Sequence, residues 1–111
     1  MKISIAEVRR RLPVGATFTA TFLRDLTVRP NVGPPVVMPN RGPSSREVVS
    51  QNAYEMVSRY TSGPRSGQNI GCKWTGVTAR VEDGVTIILS QKFGDEREDF
   101  LAITDIKVDA S

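Results

Sequence analysis

The first twelve residues carry apolar side chains at helical spacing. Ile5, Val8 and Leu12 recur three and seven residues apart, as on one face of an α-helix. The S-x-x-E pattern that begins at Ser4 is a capping box, so the helix is predicted to start directly after Ser4. Pro13 ends it. A helix this short is not stable alone, and its apolar face must therefore pack on the rest of the fold.

Most of the remaining chain alternates between apolar and polar residues with the period of β-strands. The clearest example is 16–23, where phenylalanine and alanine alternate with threonine. The Asp83-Gly84 pair is a strong hairpin signal between two later runs. The predicted strands span residues 16–23, 46–51, 53–60, 74–81, 85–90 and 100–108.

These elements predict a mainly β (α+β) fold. We expect a short N-terminal helix and a small, partly open antiparallel barrel of five or six strands, either SH3-like or OB-like. A chain of 111 residues fits one domain, predicted to span 1–111. Residues 29–45 hold five of the seven prolines and are predicted to be an extended insertion that does not join the sheet. Residues 61–69 form a second predicted loop.

Composition narrows the class of protein. The chain is 39% hydrophobic and 24% charged, as in ordinary soluble domains. No apolar run approaches the roughly 20 residues of a membrane helix, and the N-terminus becomes charged too early for a signal peptide. The single cysteine, Cys72, cannot form an intrachain disulfide. We therefore expect a cytoplasmic protein without membrane partners.

The chain contains no histidine. This absence excludes Ser-His-Asp and Cys-His catalysis and nearly all zinc sites. The acids at 95–99 do not follow the spacing of a calcium-binding loop. We therefore expect neither an enzyme nor a bound metal or cofactor.

Charge is distributed unevenly along the chain. Residues 1–80 hold twelve of the fifteen basic residues and four acids, a balance of +8, whereas residues 81–111 hold three basic residues and eight acids, a balance of −5. Such a split indicates a polyanion or a charged protein as partner. It also raises a question of geometry, because the acids at 95–99 would neutralise the basic surface if they lay across it.

The basic and aromatic residues of the first part are candidates for a nucleic-acid interface. Arginines contact phosphates, and aromatic rings stack on unpaired bases. Each feature also has an alternative interpretation. The arginine triplet at 9–11 could lie on a solvent-exposed face of the helix, and Trp74 could lie in the core. The predicted contacts are Arg9, Arg10, Arg11, Arg59, Tyr60, Arg65, Lys73 and Trp74.

A protein-interaction module is the alternative function. Val36, Val37 and Met38 are apolar residues inside the Pro-rich segment, with Arg41 close by. They are predicted either to dock onto a protein partner or to fold back over one end of the barrel. A homodimer that pairs the basic and acidic regions belongs to the same alternative.

One stretch of the sequence also carries a family resemblance. The opening helix, the run Leu-Pro-Val-Gly-Ala-Thr-Phe-Thr-Ala-Thr-Phe-Leu at 12–23 and the hairpin at Asp83-Gly84 resemble small barrel proteins of unassigned function that bacteriophages encode. The resemblance implies an accessory protein of the host cytoplasm that binds nucleic acid or a host protein. It assigns no functional residue.

Overall fold

The computed structural model describes residues 1–24, 26–28, 32–38, 42–93 and 95–108, and for 26–28, 36–38 and 93 it describes the backbone alone. In this part of the chain one helix accompanies ten strands. The helix α1 spans Ile5–Arg11. The strands are β1 (Lys2–Ile3), β2 (Thr17–Phe22), β3 (Leu26–Val28), β4 (Val36–Met38), β5 (Pro43–Gln51), β6 (Glu55–Tyr60), β7 (Asn69–Lys73), β8 (Val77–Glu82), β9 (Thr86–Phe93) and β10 (Glu96–Lys107).

Eight of the strands form a single antiparallel sheet. Their order is β1-β8-β9-β10-β2-β5-β6-β7, and β3 pairs with β4 in a separate two-stranded sheet. The large sheet is open, because its end strands β1 and β7 do not pair with each other. The mainly β, antiparallel and open character predicted from the sequence is confirmed. The barrel of five or six strands is wrong in strand number and in type.

The additional strands come from segments with weak strand signals. Strand β7 lies between the predicted loop at 61–69 and the predicted strand at 74–81, and Gly71 interrupts its short apolar pattern. It pairs with β6 and turns Ile70 and Cys72 towards the core. Strand β5 begins at Pro43, inside the predicted insertion, since proline is tolerated as the first residue of a strand.

The Pro-rich segment and the acidic segment also differ from expectation. Strand β4 contains no proline, so its backbone pairs with β3 in their own small sheet. The expectation that 29–45 does not join the main sheet is wrong at 43–45, where β5 pairs with β2, and the extended loop is wrong at 36–38. Strand β10 begins at Glu96, and the acids at 96–99 therefore lie within a strand and not at a hairpin tip.

The helix is anchored at both ends. The backbone N–H of Glu7 donates to Ser4 Oγ at 3.1 Å, which confirms Ser4 as the N-cap. At the other end the Gln51 side chain donates from Nε2 to the carbonyl oxygens of Arg9 (2.8 Å) and Leu12 (3.3 Å). The Arg9 carbonyl also accepts from the backbone N–H of Leu12 at 3.3 Å, and the two bonds from Gln51 join the end of α1 to β5.

The core lies between α1 and the inner face of the large sheet. Alternation along β2 confirms that its phenylalanines and Ala20 face inwards. A β-bulge between Asp99 and Leu101 lets both Phe100 and Leu101 enter the core. The most deeply buried apolar side chains are Val8, Leu12, Val48, Ile87, Leu89 and Ile103. Within the described residues, no helix is long and apolar enough to cross a membrane.

Candidate nucleic-acid interface and the Arg46 cleft

The three helix arginines are engaged by neighbouring side chains. Glu7 accepts from Arg10 Nε at 2.8 Å and from Arg11 Nε at 3.0 Å, and these bonds lower the pKa of Glu7 to about 2. Arg9 Nε donates to Gln51 Oε1 at 2.9 Å. The helix arginines are therefore bonded to nearby side chains of the same chain. This agrees with the alternative interpretation, in which the triplet lies on a solvent-exposed face of the helix.

The two predicted stacking residues lie in the core. Trp74 is 5% exposed, and its indole N–H donates to the carbonyl oxygen of Asn52 at 3.1 Å. Tyr60 is 6% exposed, and its ring contacts the Arg46 guanidinium. The core position considered for Trp74 is confirmed, and neither ring offers a face for a base to stack on. An exposed ring is supplied instead by Tyr54, which is 80% exposed.

Tyr54 is not among the contacts predicted from the sequence, because its position continues the inward pattern of β6. In the structure, the turn before β6 interrupts this pattern. Asn52 Oδ1 accepts the backbone N–H groups of Tyr54 (2.8 Å) and Glu55 (3.1 Å), so the strand starts only at Glu55. The Tyr54 carbonyl accepts from the backbone N–H of Trp74 at 2.9 Å, and this bond places Tyr54 beside the end of β7.

Three other predicted residues share one end of the sheet, and we call Arg59, Arg65 and Lys73 the basic strip. Arg59 on β6 and Lys73 on β7 are exposed, and Arg65 is half-buried on the connecting loop. None forms an ion pair with a described residue. Glu47 and Glu55 stand opposite Arg59 and Lys73 in the strand register, but neither carboxylate is within ion-pair distance.

The β6–β7 loop has no free backbone N–H groups at 66–68 that could bind a phosphate group. The N–H groups of Ser66, Gly67 and Gln68 donate to carbonyl oxygens of the same hairpin at 2.8–3.1 Å. Donors used in this way are not available to a phosphate group. The loop therefore provides the charged side chain of Arg65 and no backbone phosphate site.

The acidic segment pairs with other arginines. Arg80 donates to both oxygens of Asp99 at 2.7 and 2.8 Å, and Arg24 pairs with Glu98. Bonds from Arg80, and then from Ser90, lower the pKa of Asp99 to about 2. Two strands, β2 and β5, separate β10 from β6 in the sheet. The acids of β10 therefore neutralise Arg80 and Arg24 and leave the basic strip unpaired.

One arginine that sequence reasoning did not select is buried. Arg46 on β5 is 3% exposed, and its guanidinium lies 5.0 Å from the Phe22 ring centre and 4.8 Å from that of Tyr60. It donates from Nε to Ser44 Oγ (3.2 Å) and from Nη2 to the Tyr60 hydroxyl (3.4 Å). Burial lowers the pKa of Arg46. The inward period of β5, shared with Val48, was the one signal that indicated its position.

Arg46 lines a cleft of about 170 Å³ on the inner side of the sheet, which we call the Arg46 cleft. Cys72 and Lys73 of the end strand β7 also line it. Burial raises the pKa of the Cys72 thiol to about 11, as in unreactive structural cysteines. The apolar walls are Phe22, Met56, Ile70, Val77, Phe100 and Leu101.

The described residues contain no group of three or more metal-ligating side chains. The alternative partner-binding residues cannot be placed in the same way. The side chains of Val36, Val37 and Met38, and the whole of Arg41, lie outside the described part of the structure. A protein-interaction role for the Pro-rich segment therefore stays a prediction.

Comparisons with protein-family models, with curated proteins and with solved structures gave no match. The resemblance to small phage-encoded barrel proteins stays a prediction.

Proposed function

We propose that this chain is a non-enzymatic module that binds single-stranded nucleic acid through the basic strip. The observation that carries the proposal is the position of Arg59, Arg65 and Lys73 on two paired strands and their connecting loop, without an ion pair to any described acid. Unpaired arginine and lysine side chains supply the phosphate contacts that dominate nucleic-acid affinity.

The strip is long enough for several phosphates. Arg59 stands opposite Asn69 in the strand register, and Lys73 lies four residues further along β7. At a rise of about 3.4 Å per residue, the two cations are roughly 14 Å apart along the strands. A backbone that follows β7 can therefore contact both of them.

Tyr54 favours a single strand over a duplex. Tyr54 is 80% exposed, and its backbone carbonyl is bonded to Trp74, the residue that follows Lys73. Aromatic rings beside cations bind unpaired bases by stacking. In a duplex the base faces are not accessible to a side chain of this kind. The proposed site thus consists of the basic strip and Tyr54, without the helix arginines and without the buried Tyr60 and Trp74.

The acids beside the strip limit the expected affinity. Glu47 and Glu55 face Arg59 and Lys73 in register, so phosphates approach a surface of mixed charge. Binding should therefore be strongest at low salt, where the attraction of the cations is least screened.

A charge-matched pair of variants tests the proposal. We expect Arg59→Ala/Arg65→Ala/Lys73→Ala to lose at least about tenfold in affinity for labelled single-stranded DNA or RNA in roughly 50 mM salt, measured by fluorescence anisotropy. The control Lys2→Ala/Lys92→Ala/Lys107→Ala removes the same charge from exposed positions on other strands. It should stay within about threefold of the unmodified chain. Equal losses in the two variants, or no binding by the unmodified chain, would contradict the proposal.

A further inference from the structure

The charge of Arg46 has no counter-charge in the part of the chain that the structure describes. Its two hydrogen-bond acceptors, Ser44 Oγ and the Tyr60 hydroxyl, are both neutral, and no described carboxylate is within ion-pair distance. A guanidinium has more N–H donors than these two bonds use, and Nη1 donates to no described residue. Arg65 lies near enough to repel it.

A buried charge in this situation is unfavourable. Buried charges are normally paired, and taking an ion out of water costs several kcal/mol even after relaxation. The rings of Phe22 and Tyr60 offset part of the cost through cation–π contacts. An anion would offset much more, because charge-assisted hydrogen bonds to a guanidinium are stronger than bonds to hydroxyl groups.

The cleft next to Arg46 has the size and the walls of a site for a small organic molecule. An apolar cavity of about 150 Å³ holds benzene, and the Arg46 cleft measures about 170 Å³. Phenylalanine, isoleucine, valine, leucine and methionine side chains line most of it. The Cys72 thiol in its wall is neutral, since burial raises its pKa to about 11.

We propose that the Arg46 cleft binds a small organic monocarboxylate with an apolar body, such as an aromatic or short aliphatic acid. The carboxylate accepts hydrogen bonds from the Arg46 guanidinium, and the apolar body lies against Ile70, Val77 and Phe100. Inorganic phosphate suits this site poorly, because it has no apolar body and gains nothing from the apolar walls. This site adjoins the proposed nucleic-acid interface, because Lys73 lines the cleft and belongs to the basic strip, whereas Arg46 lies outside the strip.

Titration of the ¹⁵N-labelled chain with three probes tests the ligand class. Benzoate should produce saturable amide shifts at residues that line the cleft, among them Cys72 and Phe100. Benzamide has the same shape without the charge, and we expect it to bind at least about tenfold more weakly. Inorganic phosphate should cause no saturable shift at these residues. Benzamide as tight as benzoate, or phosphate that displaces benzoate, would overturn the proposal.

Two variants test the role of the guanidinium. Arg46→Met keeps the length of the side chain and removes its charge, and it should lower benzoate affinity at least about tenfold. Arg10→Met, the same substitution at an exposed position on the helix, should leave that affinity unchanged. Retained benzoate affinity in folded Arg46→Met refutes the assignment. If circular dichroism shows that Arg46→Met does not fold, alkylation of Cys72 in the unmodified chain at pH 9 provides the test. Benzoate should then protect Cys72 from alkylation, whereas benzamide should not.

Discussion

The charged residues on the outer face of the sheet show how single positions decide whether a charge is paired. Arg80 on β8 and Asp99 on β10 lie on either side of β9, and the guanidinium reaches across it to both carboxylate oxygens. Ser90 on β9, between them, donates its hydroxyl to the same carboxylate. Three donors stabilise the ionised form, and for this reason the pKa of Asp99 falls to about 2.

Asp99→Asn should change stability in a way that depends on pH. The pKa of Asp99 is lower in the folded chain than in the unfolded chain, so the carboxylate stabilises the fold above its unfolded value, near 4, and loses this effect as pH falls towards 2. Because the pair is largely exposed, we expect a loss on the order of 1 kcal/mol in the free energy of unfolding at pH 7. Urea unfolding between pH 2 and pH 7 measures it.

Asp95→Asn is the matched control, since Asp95 is exposed and forms no ion pair among the described residues. The difference in unfolding free energy between Asp99→Asn and the unmodified chain should vanish near pH 2, whereas the control should follow the unmodified chain throughout. A difference that persists undiminished at pH 2 would show that the substitution acts through packing and not through the carboxylate charge.

Individual elements were predictable from the sequence where local pattern and tertiary contacts agree. In β2 every second residue is apolar and buried, and in α1 the capping box and the apolar face both correspond to the observed helix. Strand β7 was not predictable, because its glycine and its short length give it little strand propensity of its own. Its pairing with β6 outweighs local preference, as is common for β-strands.

The candidate site was predictable only in part. Arg59, Arg65 and Lys73 could be selected by residue type, because each lies in a loop or at an outward strand position and none of them is buried. Arg46 could not be selected, because an arginine at an inward strand position has the same sequence pattern as one at an edge. Whether such a side chain is buried depends on the neighbouring strands, here β2 and β6.

The connection between α1 and β5 provides a test at the level of elements. Gln51→Ala removes the side chain that accepts from Arg9 and donates to the last carbonyl groups of the helix. Because the Leu12 carbonyl and the Arg9 guanidinium then lose the bonds to Gln51, while the Arg9 carbonyl keeps the Leu12 N–H, we expect the free energy of unfolding to fall by about 1 kcal/mol. Gln68→Ala, the same substitution at an exposed loop position, should change it by less than about 0.5 kcal/mol. Chemical denaturation of the two variants provides the comparison, and equal effects would contradict this role of Gln51.

For the whole molecule, the strand order converts a charge split along the sequence into a charge split across the sheet. Strands β8 to β10 hold the paired acids, and the basic strip lies at the other end, on β6 and β7. Three strand spacings of about 4.8 Å place β10 and β6 roughly 14 Å apart along the sheet. This exceeds the screening length of about 10 Å in 0.1 M salt. The acids of β10 therefore have little effect on the potential at Arg59.

Salt dependence of nucleic-acid binding tests this separation. If three phosphates bind the basic strip, the slope of log affinity against log salt concentration for a single strand should be about −2, and it should approach zero in the Arg59→Ala/Arg65→Ala/Lys73→Ala variant. Neutralising the distant acids in Asp95→Asn/Glu96→Gln should raise affinity in low salt by less than about threefold and leave the slope unchanged, because no phosphate contact is added. Anisotropy titrations across a salt series measure both quantities. A steeper slope in the acid variant would mean that the nucleic acid extends over β10, and that the interface is not confined to β6 and β7.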